Sequence, residues 1–535
     1  GNFISFIDTA KSQPSHSRVP RKGKPVKHLK RKRRWRRRLI ITAVVLLTMS
    51  VLLVGGAVGY IAYRSSQVHH VHVNGLVQTQ SGQPENILLV GNNSRCALNG
   101  QQSVQFGSCA QVGGARSDVT MVIHLNPATH QAFLLSIPRD LFVPIANFSS
   151  TASGRLDHAK IDASLNVSPD YLVQTVEQDL GIPINHFVEL NFDTFQSVVQ
   201  DLGGVHMYFP TEVKDSMSGL GVYQTGCIYL NGTQALELVR ARHLYYLQNG
   251  VWQYDGLGDI SRIRRDHEFL KVLGSAVRSQ ITDPLTANKL LGSVLPDLQV
   301  DQNFSFSEMA SLAWAFHNVS VASMPSATVP TVGEASYTYN GADFGDVVFP
   351  VQPADQQLIG QFLGTSGLPG SNISPGSFTL EVLNGTNTYN LGTTTSQALT
   401  ADGFNVTGVG NAQVVSSQQV ETSIYYTSGH LAQAQRLMDS LSGTVIMGQK
   451  DLGNGADVTL VAGTQLGVNP PSATSPTTPV STQGQTTTAP STTGATTTTT
   501  SPFGPINPSQ VFQSQVPLPW FDPRSCTDSS ASPPS

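Results

Sequence analysis

Residues 119–137, VTMVIHLNPATHQAFLLSI, decide the fold of the larger part of this chain. The stretch contains two short runs of β-branched and apolar side chains, 119–125 and 132–137, separated by the turn residues NPATH. Two such runs joined by a short turn predict an antiparallel hairpin. A similar run, NILLVG at 86–91, comes before the hairpin and predicts a further strand.

Helical and strand-like patterns alternate after the hairpin. The apolar spacing of residues 170–181 predicts a helix that ends at Gly181, and 186–192 predicts the following strand. A helix over 193–204 and a strand over 205–209 continue the alternation. Together with the hairpin, this order predicts an α/β sandwich with a mixed central sheet. Helices that close the domain are predicted near 264–280, 284–295 and 306–317.

The patterning and composition divide the chain after residue 63 into four main segments. They indicate a linker at 64–84, the main domain at 85–350 and a small α/β domain at 377–465. The small domain has no cluster of reactive side chains, which favours a binding or spacer module. Residues 466–535 are rich in Ser, Thr and Pro, and such a composition buries too little apolar surface to fold. The sequence therefore predicts a disordered tail.

Charge is distributed very unevenly along the 535 residues. The total is only −3, yet residues 1–38 carry fourteen Lys or Arg and one acid, whereas the remainder has a net charge of −16. Residues 39–63, directly after Arg38, contain no charged side chain. At about 1.5 Å per residue they are long enough to cross the ~30 Å hydrocarbon core. By the positive-inside rule, the pattern predicts a cytoplasmic tail, a single N-terminal transmembrane helix in the plasma membrane, and an extracytoplasmic remainder.

Two other interpretations of the N-terminal region are disfavoured. A cleavable signal peptide has an apolar core of about 7–15 residues and a small-residue cleavage site, and neither fits 39–63. Nucleic-acid binding by KHLKRKRRWRRR, residues 27–38, is disfavoured because this run abuts the apolar segment with no folded domain between them. A topology signal that also attracts anionic lipid explains the same residues.

All four cysteines lie on the predicted outer side, where disulfides persist. Four cysteines allow three pairings. The pairing Cys96–Cys109 is favoured because these residues flank a Gly/Gln-rich loop between two predicted strands, and the partners of Cys227 and Cys526 stay open. No pair of Cys or His in the sequence has the spacing of a zinc site.

Basic residues beside acidic ones recur at the ends of predicted elements. Arg116 and Asp118 precede the first strand of the hairpin, and Arg139 and Asp140 follow the second. Others are Lys160, Arg240, Arg242, Asp259, Arg262 and Arg265. The planar donors of guanidinium match phosphate, so this concentration predicts a polyanionic ligand. Nucleic acid is disfavoured as that ligand, since the outer part of the chain is net acidic and has no aromatic-basic stripe.

The order and spacing of these motifs resemble the LytR–CpsA–Psr family of bacterial envelope proteins. The resemblance covers about residues 85–320 and rests on NILLVGNNSR, GGARSDVTMVIHLNP, LLSIPRDLFVPI, KIDAS, YLNGTQALELVRARH and DISRIRRD. Residues 377–465 resemble the LytR C-terminal domain that often follows in actinobacteria. One membrane span after a basic cytoplasmic tail is also the usual topology of this family.

The resemblance implies a phosphotransferase that moves a glycopolymer from a polyprenyl-pyrophosphate carrier to a sugar hydroxyl of peptidoglycan. It also implies a hydrophobic pocket for the prenyl chain and Mg²⁺, or Mn²⁺, as cofactor. On this mapping the catalytic residues are Arg139, Asp140, Arg240 and Arg242, and the metal ligands are Asp118 and Asn93. Either Asp140 or Asp259 would orient arginine side chains or the acceptor hydroxyl. The pyrophosphate is held by Arg116, Arg139, Arg240 and Arg242, with support from Arg95, Lys160, Arg262 and Arg265.

One departure from the family pattern keeps an alternative open. The family usually has Asp where this chain has Asn93, and an Asn carbonyl brings no charge to a metal site. Asp162 partly restores that charge if it lies near. The alternative is a weakly catalytic or non-catalytic membrane-anchored protein that binds lipid-linked glycan or cell wall. A pyrophosphatase-like activity is expected wherever water reaches the site, and transcriptional attenuation is disfavoured because no helix-turn-helix fits within residues 1–38.

Overall fold

The computed structural model describes residues 64–80, 82–92, 117–146, 157–280, 283–320, 324–365, 367–412, 419–469 and 518–528, with parts of 42–63. Residues 1–63 and 64–535 form two separate units. Within the described residues, no helix combines the length and the apolar character needed to cross a membrane. The transmembrane helix predicted at 39–63 lies partly outside the described residues and stays a prediction.

The second unit alternates strands and helices along most of its length. Its strands are β1 (His69–Val71), β2 (Glu85–Asn92), β3 (Ser117–Asn126), β4 (Gln131–Ile137), β5 (Phe142–Pro144), β6 (His158–Lys160), β7 (His186–Asn191), β8 (Val205–Phe209), β9 (Val213–Asp215), β10 (Leu220–Val222), β11 (Gly226–Leu230), β12 (Tyr245–Gln248), β13 (Val251–Tyr254), β14 (Gln299–Asp301), β15 (Ser326–Thr328), β16 (Thr331–Tyr339), β17 (Ala342–Gln352), β18 (Thr379–Asn384), β19 (Asn405–Asn411), β20 (Thr422–Tyr426), β21 (Leu441–Gln449), β22 (Val458–Ala462), β23 (Leu466–Val468) and β24 (Arg524–Ser525). Its helices are α1 (Pro169–Leu180), α2 (Phe192–Asp201), α3 (Gly232–Arg240), α4 (Asp259–Gln280), α5 (Pro284–Val294), α6 (Phe306–Ala315), α7 (Ala354–Phe362), α8 (Leu391–Ala401) and α9 (Leu431–Met438).

The central sheet has the strand order β1-β14-β7-β2-β3-β4-β15. The predicted hairpin is confirmed: β3 and β4 are antiparallel, with Asn126 opposite Gln131. Strand β2 is antiparallel to β3 and parallel to β7, so the sheet is mixed and the predicted α/β fold class is confirmed. Because of these directions, the ends of β2, β4 and β7 and the start of β3 lie at one end of the sheet. This end is called the carboxyl end below.

Both faces of the sheet are covered by apolar clusters. The side chains of β2 point alternately to the two faces and are apolar on each. Leu88 and Val90 lie in a buried cluster with α1, whereas Ile87 and Leu89 face a second cluster that includes α5 and α6. Helix α1 ends at Gly181, as predicted, and the φ of 67° at this residue is a conformation that glycine adopts without strain. The predicted helices near 264–280, 284–295 and 306–317 correspond to α4, α5 and α6.

The prediction that residues 64–84 form a linker is wrong. Strand β1 pairs with β14 in parallel, and Val73 is buried in the main core. The Arg64 guanidinium donates to the carbonyl oxygen of Asn288 at 3.0 Å. In this stretch valines alternate with His and Asn. A strand at the edge of a sheet can have such a mixed composition, which resembles that of a polar linker.

The small domain predicted at 377–465 shares its sheet with the preceding segment. The strand order is β16-β17-β21-β20-β22-β18-β19, and β17 pairs with β21 through Val351 and Gln352. The hydroxyl of Tyr426 also donates to the carbonyl oxygen of Gln178, near the end of α1, at 3.2 Å. The C-terminal domain is therefore attached to the main domain by backbone pairing as well as by side chains.

The prediction of a disordered tail over 466–535 is wrong at two places. Strand β23 pairs with β21, and residues 518–528 pack on the main domain, where β24 pairs with β8. Cys526 forms a disulfide with Cys227. Trp520 and Phe521 give this short segment the apolar surface that the average composition of the tail conceals. Residues 470–517 and the predicted pair Cys96–Cys109 lie outside the described residues.

One buried carboxyl group makes the stability of the unit depend on pH. Glu421 is completely buried and accepts a hydrogen bond of 2.7 Å from the Tyr337 hydroxyl. Burial raises the pKa of Glu421 to about 7, so the folded protein keeps a proton that the unfolded chain loses near pH 4.5. Its contribution to stability is therefore complete below pH 4.5 and is lost as the pH rises to about 7.

We expect Glu421→Gln, which mimics the protonated side chain, to remove this part of the pH dependence. Between pH 4.5 and 7 the wild type should lose roughly 3 kcal/mol more unfolding free energy than the variant. Denaturant unfolding at several pH values measures the difference, and Glu212→Gln is the control at a partly exposed site. Identical slopes for wild type and Glu421→Gln would contradict the prediction.

Candidate active site

Charged side chains converge at the carboxyl end of the sheet. Asp118 is near the start of β3, and Arg139 and Asp140 follow β4 directly. Lys160 ends β6, and Arg242 follows α3. Asp259 and Arg262 lie in the first turn of α4. These seven residues, Asp118, Arg139, Asp140, Lys160, Arg242, Asp259 and Arg262, are called the arginine cluster below.

Asp140 contacts three cations of the arginine cluster, which are Arg139, Lys160 and Arg242. Its Oδ1 lies 2.8 Å from Lys160 Nζ, and its Oδ2 lies 3.5 Å from both Arg139 Nε and Arg242 Nη2. Arg139 Nη1 in turn lies 2.6 Å from Asp118 Oδ1. A single carboxylate therefore orients three cations, and Arg139 also contacts a second acid. Arg242 does so as well.

Asp259 contacts two arginines of the cluster, Arg242 and Arg262. Its Oδ1 lies 3.2 Å from Arg242 Nε and 3.1 Å from Arg262 Nη1. Arg262 also donates from Nη2 to the backbone carbonyl oxygen of Asp118 at 2.6 Å. This bond connects the start of α4 to the start of β3, so the ion pairs are anchored to the sheet.

The cations of the cluster differ in their access to solvent. The exposed fraction of the side chain is 33% for Arg242, 22% for Lys160 and 15% for Arg139, but only 4% for Arg262. A ligand arriving from solvent can therefore reach the first three. Arg262 is shielded from solvent and contacts Asp259 and the backbone of Asp118, so it stabilises the cluster without facing a ligand.

The electrostatics of the cluster suit an anionic ligand. Burial and the neighbouring charge of Arg139 lower the pKa of Arg242, so a bound anion would stabilise its charged form. Burial opposes the charge on Arg139 as well, but the carboxylates of Asp118, Asp140 and other nearby acids raise its pKa. Asp162 is one of those acids, and its backbone amide donates to the carbonyl oxygen of Arg139 at 3.3 Å, so the condition that Asp162 lies near the site is met.

Asp140 is held in its ionised form. Burial would raise its pKa, but the hydrogen bond from Lys160 and the charges of Arg139, Lys160 and Arg242 lower it below the ordinary value. A carboxylate with a lowered pKa is a weak proton acceptor. The position of Asp140 therefore favours the orientation of cations over proton transfer.

The remaining predicted cations are placed differently. Arg240 ends α3, and its guanidinium lies 4.8 Å from the ring centroid of Phe192, which begins α2 at the carboxyl end of the sheet. Arg265 is buried and contacts Asp255 and Asp522 instead of the cluster. Asn93, Arg95 and Arg116 lie outside the described residues.

Sequence reasoning missed the acids that hold Arg265. Asp255 comes after β13 and lies 2.9 Å from Arg265 Nη1, and Asp522 comes from the C-terminal segment. The consecutive charged residues Arg264, Arg265 and Asp266 do not indicate which side chain faces the active site and which faces another part of the domain. The signal for Asp255 is its position in a Gly-rich turn just before α4, whereas Asp522 lies in a tail of low complexity.

The site fits a metal ion only in part. Asp118 offers a carboxylate, which is the kind of ligand that Mg²⁺ prefers, but its Oδ1 already accepts from Arg139. In the part of the chain that the structure describes, no group of three or more His, Cys, Asp or Glu side chains could hold a metal. Asn93 follows the last residue of β2 in the sequence.

Partly exposed guanidinium groups at one end of the sheet can bind an anion, because their planar donors match phosphate and carboxylate oxygens. The chain belongs to the LytR_cpsA_psr family, whose model matches residues 58–347. A second family model, described as LytR cell envelope-related transcriptional attenuator, matches residues 377–465. The resemblance in the sequence motifs is thus confirmed.

Curated relatives include two bacterial envelope proteins. "Probable cell wall biosynthesis protein LcpB" of Corynebacterium glutamicum is 29% identical over 278 residues, which cover 51% of this chain and 61% of that protein. The chain thus spans less than two thirds of this relative. "Polyisoprenyl-teichoic acid--peptidoglycan teichoic acid transferase TagU" of Bacillus anthracis is 28% identical over 239 residues, or 42% of this chain and 68% of that protein. The solved "LytR-Csp2A-Psr enzyme from Actinomyces oris" has a TM-score of 0.43 and 20% identity, covering 55% of this chain and 95% of that one.

We expect Arg242→Ala to affect mainly the binding of an anion and Arg262→Ala to affect mainly the stability of the fold. Arg242→Ala should weaken binding of inorganic pyrophosphate about tenfold with little change in melting temperature, because this side chain is the most exposed of the cluster. Arg262→Ala should lower the unfolding free energy by about 3 kcal/mol, because it leaves Asp259 and a backbone carbonyl without their buried partner. Calorimetric titration and thermal unfolding measure the two effects.

Arg278→Ala is the matched control, because Arg278 lies in the last turn of the same helix α4, away from the cluster. It should change neither quantity. Wild-type affinity in Arg242→Ala would show that this side chain does not face the anion.

Proposed function

We propose that the protein transfers a glycopolymer from a polyprenyl-pyrophosphate carrier to peptidoglycan outside the plasma membrane. The observation that carries the proposal is the convergence of Arg139, Lys160 and Arg242 at the carboxyl end of the sheet, each oriented by a carboxylate. Family membership and the names of the relatives as cell wall biosynthesis protein and teichoic acid transferase support the substrate class.

The reaction requires charge neutralisation more than covalent chemistry by the protein. The oxygen of a sugar hydroxyl on peptidoglycan bonds to the phosphorus that carries the polymer, and the bond from this phosphorus to the bridging oxygen breaks. Polyprenyl phosphate leaves, and the proton of the hydroxyl passes to water or to an oxygen of the departing phosphate. Negative charge is spread over the phosphoryl and bridging oxygens, so positioned cations lower the barrier. Arg139, Lys160 and Arg242 supply those cations, and Arg240 reaches the same ligand from the end of α3.

The carboxylates of the cluster act on the arginines in this proposal. Asp140 and Asp259 each contact more than one cation, and the lowered pKa of Asp140 makes it a poor base. They hold the guanidiniums in place before the ligand arrives, so less conformational entropy is lost on binding. Arg262 maintains this arrangement from its buried position. Arg116 and Arg95 complete the phosphate-binding set on the family mapping.

The second face of the sheet offers an apolar surface for the prenyl chain. Leu89, Leu125 and Leu190 of the sheet pack against the same apolar cluster as Met309 and Leu312 of α6, and all five are only partly buried. No residue of α6 is buried, and Trp314 is highly exposed. In this proposal the prenyl chain would insert between α6 and the apolar sheet face, because a helix with no buried residue can be displaced more easily than one packed into a core.

We further propose Mg²⁺ or Mn²⁺ as the cofactor, held by oxygen atoms of Asp118 and Asn93. A divalent ion at this position would neutralise charge on the pyrophosphate. The amide of Asn93 brings no charge, which should lower the metal affinity. Asp162, whose backbone amide donates to the carbonyl oxygen of Arg139 at 3.3 Å, would compensate in part.

The partners of the proposed enzyme are a lipid-linked glycopolymer, peptidoglycan and the membrane, not nucleic acid. Residues 39–63 would anchor the chain as a single-pass protein with residues 1–38 in the cytoplasm. This topology would put the arginine cluster on the outer side, where both substrates are exposed. The second candidate function is a weakly catalytic binder of lipid-linked glycan, and Asn93 is the observation that favours it.

The direct test is transfer of labelled glycopolymer from a polyprenyl-pyrophosphate donor to peptidoglycan fragments by the full chain in detergent with Mg²⁺. We expect Arg139→Ala to lower the rate at least about a hundredfold, because one cation next to the transferred phosphoryl group is lost. Arg278→Ala is the control and should keep the wild-type rate. Binding of the donor without transfer by the wild type would favour the binder, and wild-type transfer by Arg139→Ala would contradict the proposed cation set.

Asn93→Asp tests the metal ligand. The added carboxylate should tighten binding of Mg²⁺ about tenfold and shift the metal dependence of transfer to lower concentrations. Titration of Mn²⁺ by electron paramagnetic resonance measures the affinity independently of transfer. An unchanged affinity would remove Asn93 from the proposed metal site.

A further inference from the structure

The C-terminal segment 518–528 is attached to the main domain by three kinds of contact. Its strand β24 pairs with β8, and Cys526 is bonded to Cys227. The ring of Phe521 stacks on Tyr246 of β12 with 3.8 Å between the centroids and an angle of 2° between the planes. The segment thus has a defined position next to α4 and the strands that precede it.

This position buries one carboxylate completely. Asp522 has no exposed surface, and each of its oxygens contacts a different arginine of α4. Arg264 Nε lies 2.6 Å from Oδ2, and Arg265 Nη1 lies 3.4 Å from Oδ1. The only other acid that pairs with these two arginines in the described part of the chain is Asp255. Two buried or nearly buried cations are therefore balanced by two acids, one of which belongs to the C-terminal segment.

Arg265 connects Asp522 to the candidate active site. Its Nη2 donates to the carbonyl oxygen of Ala241 at 2.6 Å. Ala241 lies between Arg240 and Arg242, at the point where the backbone leaves α3 with a ψ of 110°. Carbonyl groups at the end of a helix lack partners within the helix, so this hydrogen bond fixes the peptide that carries both arginines.

Arg264 provides an internal comparison. It makes the shorter contact to Asp522, yet its ion-pair partners among the described residues are Asp522 and Asp255, and the bond to the Ala241 carbonyl comes from Arg265. If Asp522 only stabilised the fold, loss of either arginine would have similar consequences. If Asp522 also sets the position of Ala241, only Arg265 would transmit the effect.

We propose that Asp522 is a positioning residue that acts through Arg265 and the Ala241 carbonyl to hold Arg240 and Arg242 in place. The proposal rests on the proposed function of those two arginines in phosphate binding. Without the Asp522 charge, Arg264 and Arg265 both depend on Asp255, so Arg265 is drawn away from Ala241. The C-terminal segment thereby becomes part of the machinery of the site, although it lies far from it in sequence.

The test compares Asp522→Asn with wild type in the full chain. Asn keeps the size of the side chain and removes its charge, while β24 and the disulfide, checked by intact mass, keep the segment in place. We expect kcat for transfer to fall about tenfold or more with a smaller change in KM, because a displaced guanidinium stabilises the transition state less. Hydrogen exchange of the amides at 241–245 should become faster. Asp528→Asn, in the exposed part of the same segment, should leave all three quantities unchanged.

Arg265→Lys and Arg264→Lys separate positioning from stability. Both keep a positive charge, but the single ammonium group of the first variant could not donate to Ala241 and the two acids in the same geometry. We expect Arg265→Lys to lower kcat as Asp522→Asn does, and Arg264→Lys to keep it within about twofold of wild type. Equal losses in both variants, or wild-type kcat and exchange in Asp522→Asn, would overturn the proposal. If the wild type catalyses no transfer, the proposed function fails, and the exchange at 241–245 still decides whether Asp522 orders this segment.

Discussion

The ion pairs of Asp140 and Asp259 are the interactions on which the geometry of the site depends. Each carboxylate contacts more than one cation, and Arg242 contacts both of them. Without these acids, Arg139, Arg242 and Arg262 would repel one another at short range in a partly buried environment, where charges interact more strongly than in water. The sheet brings the residues together, since the start of β3 and the end of β4 share one end. The carboxylates then make that convergence stable.

This arrangement has a consequence for ligand binding. Under the proposed function, an incoming pyrophosphate would compete with Asp118 and Asp140 for the guanidinium of Arg139, so part of the gross interaction energy would be lost in the exchange. In return the side chains are already oriented, and little rotamer entropy is lost when the ligand binds. Burial and the charge of Arg139 lower the pKa of Arg242, so an added anion would stabilise its charged form. The most exposed arginine of the cluster is therefore also one whose charge a bound anion would stabilise.

The sequence predicts the parts of the fold and site that depend on local patterns. The hairpin follows from two apolar runs and a turn, and the end of α1 follows from Gly181. Arg139 and Asp140 are predictable because they follow a buried strand whose end must lie at an edge of the sheet. Long-range pairing is different: β1 pairs with β14 far along the chain, and no feature of HHV specifies that partner. The same limit explains why the sequence does not predict that β17 and β21 share a sheet.

Arg262 and Arg265 show the limit at the level of single side chains. They are three residues apart on α4 and therefore lie near the same face of the helix, and the sequence assigns both to the phosphate. The structure directs Arg262 to Asp259 and Arg265 to Asp255 and Asp522. The difference comes from Asp255 in the turn before α4 and from Asp522 in a tail whose composition indicates disorder. Neither contact could be predicted from the motif itself. A short segment after the low-complexity stretch thus supplies a charge that the buried arginines require, and the order of the peptide between Arg240 and Arg242 depends on a residue that is distant in the sequence.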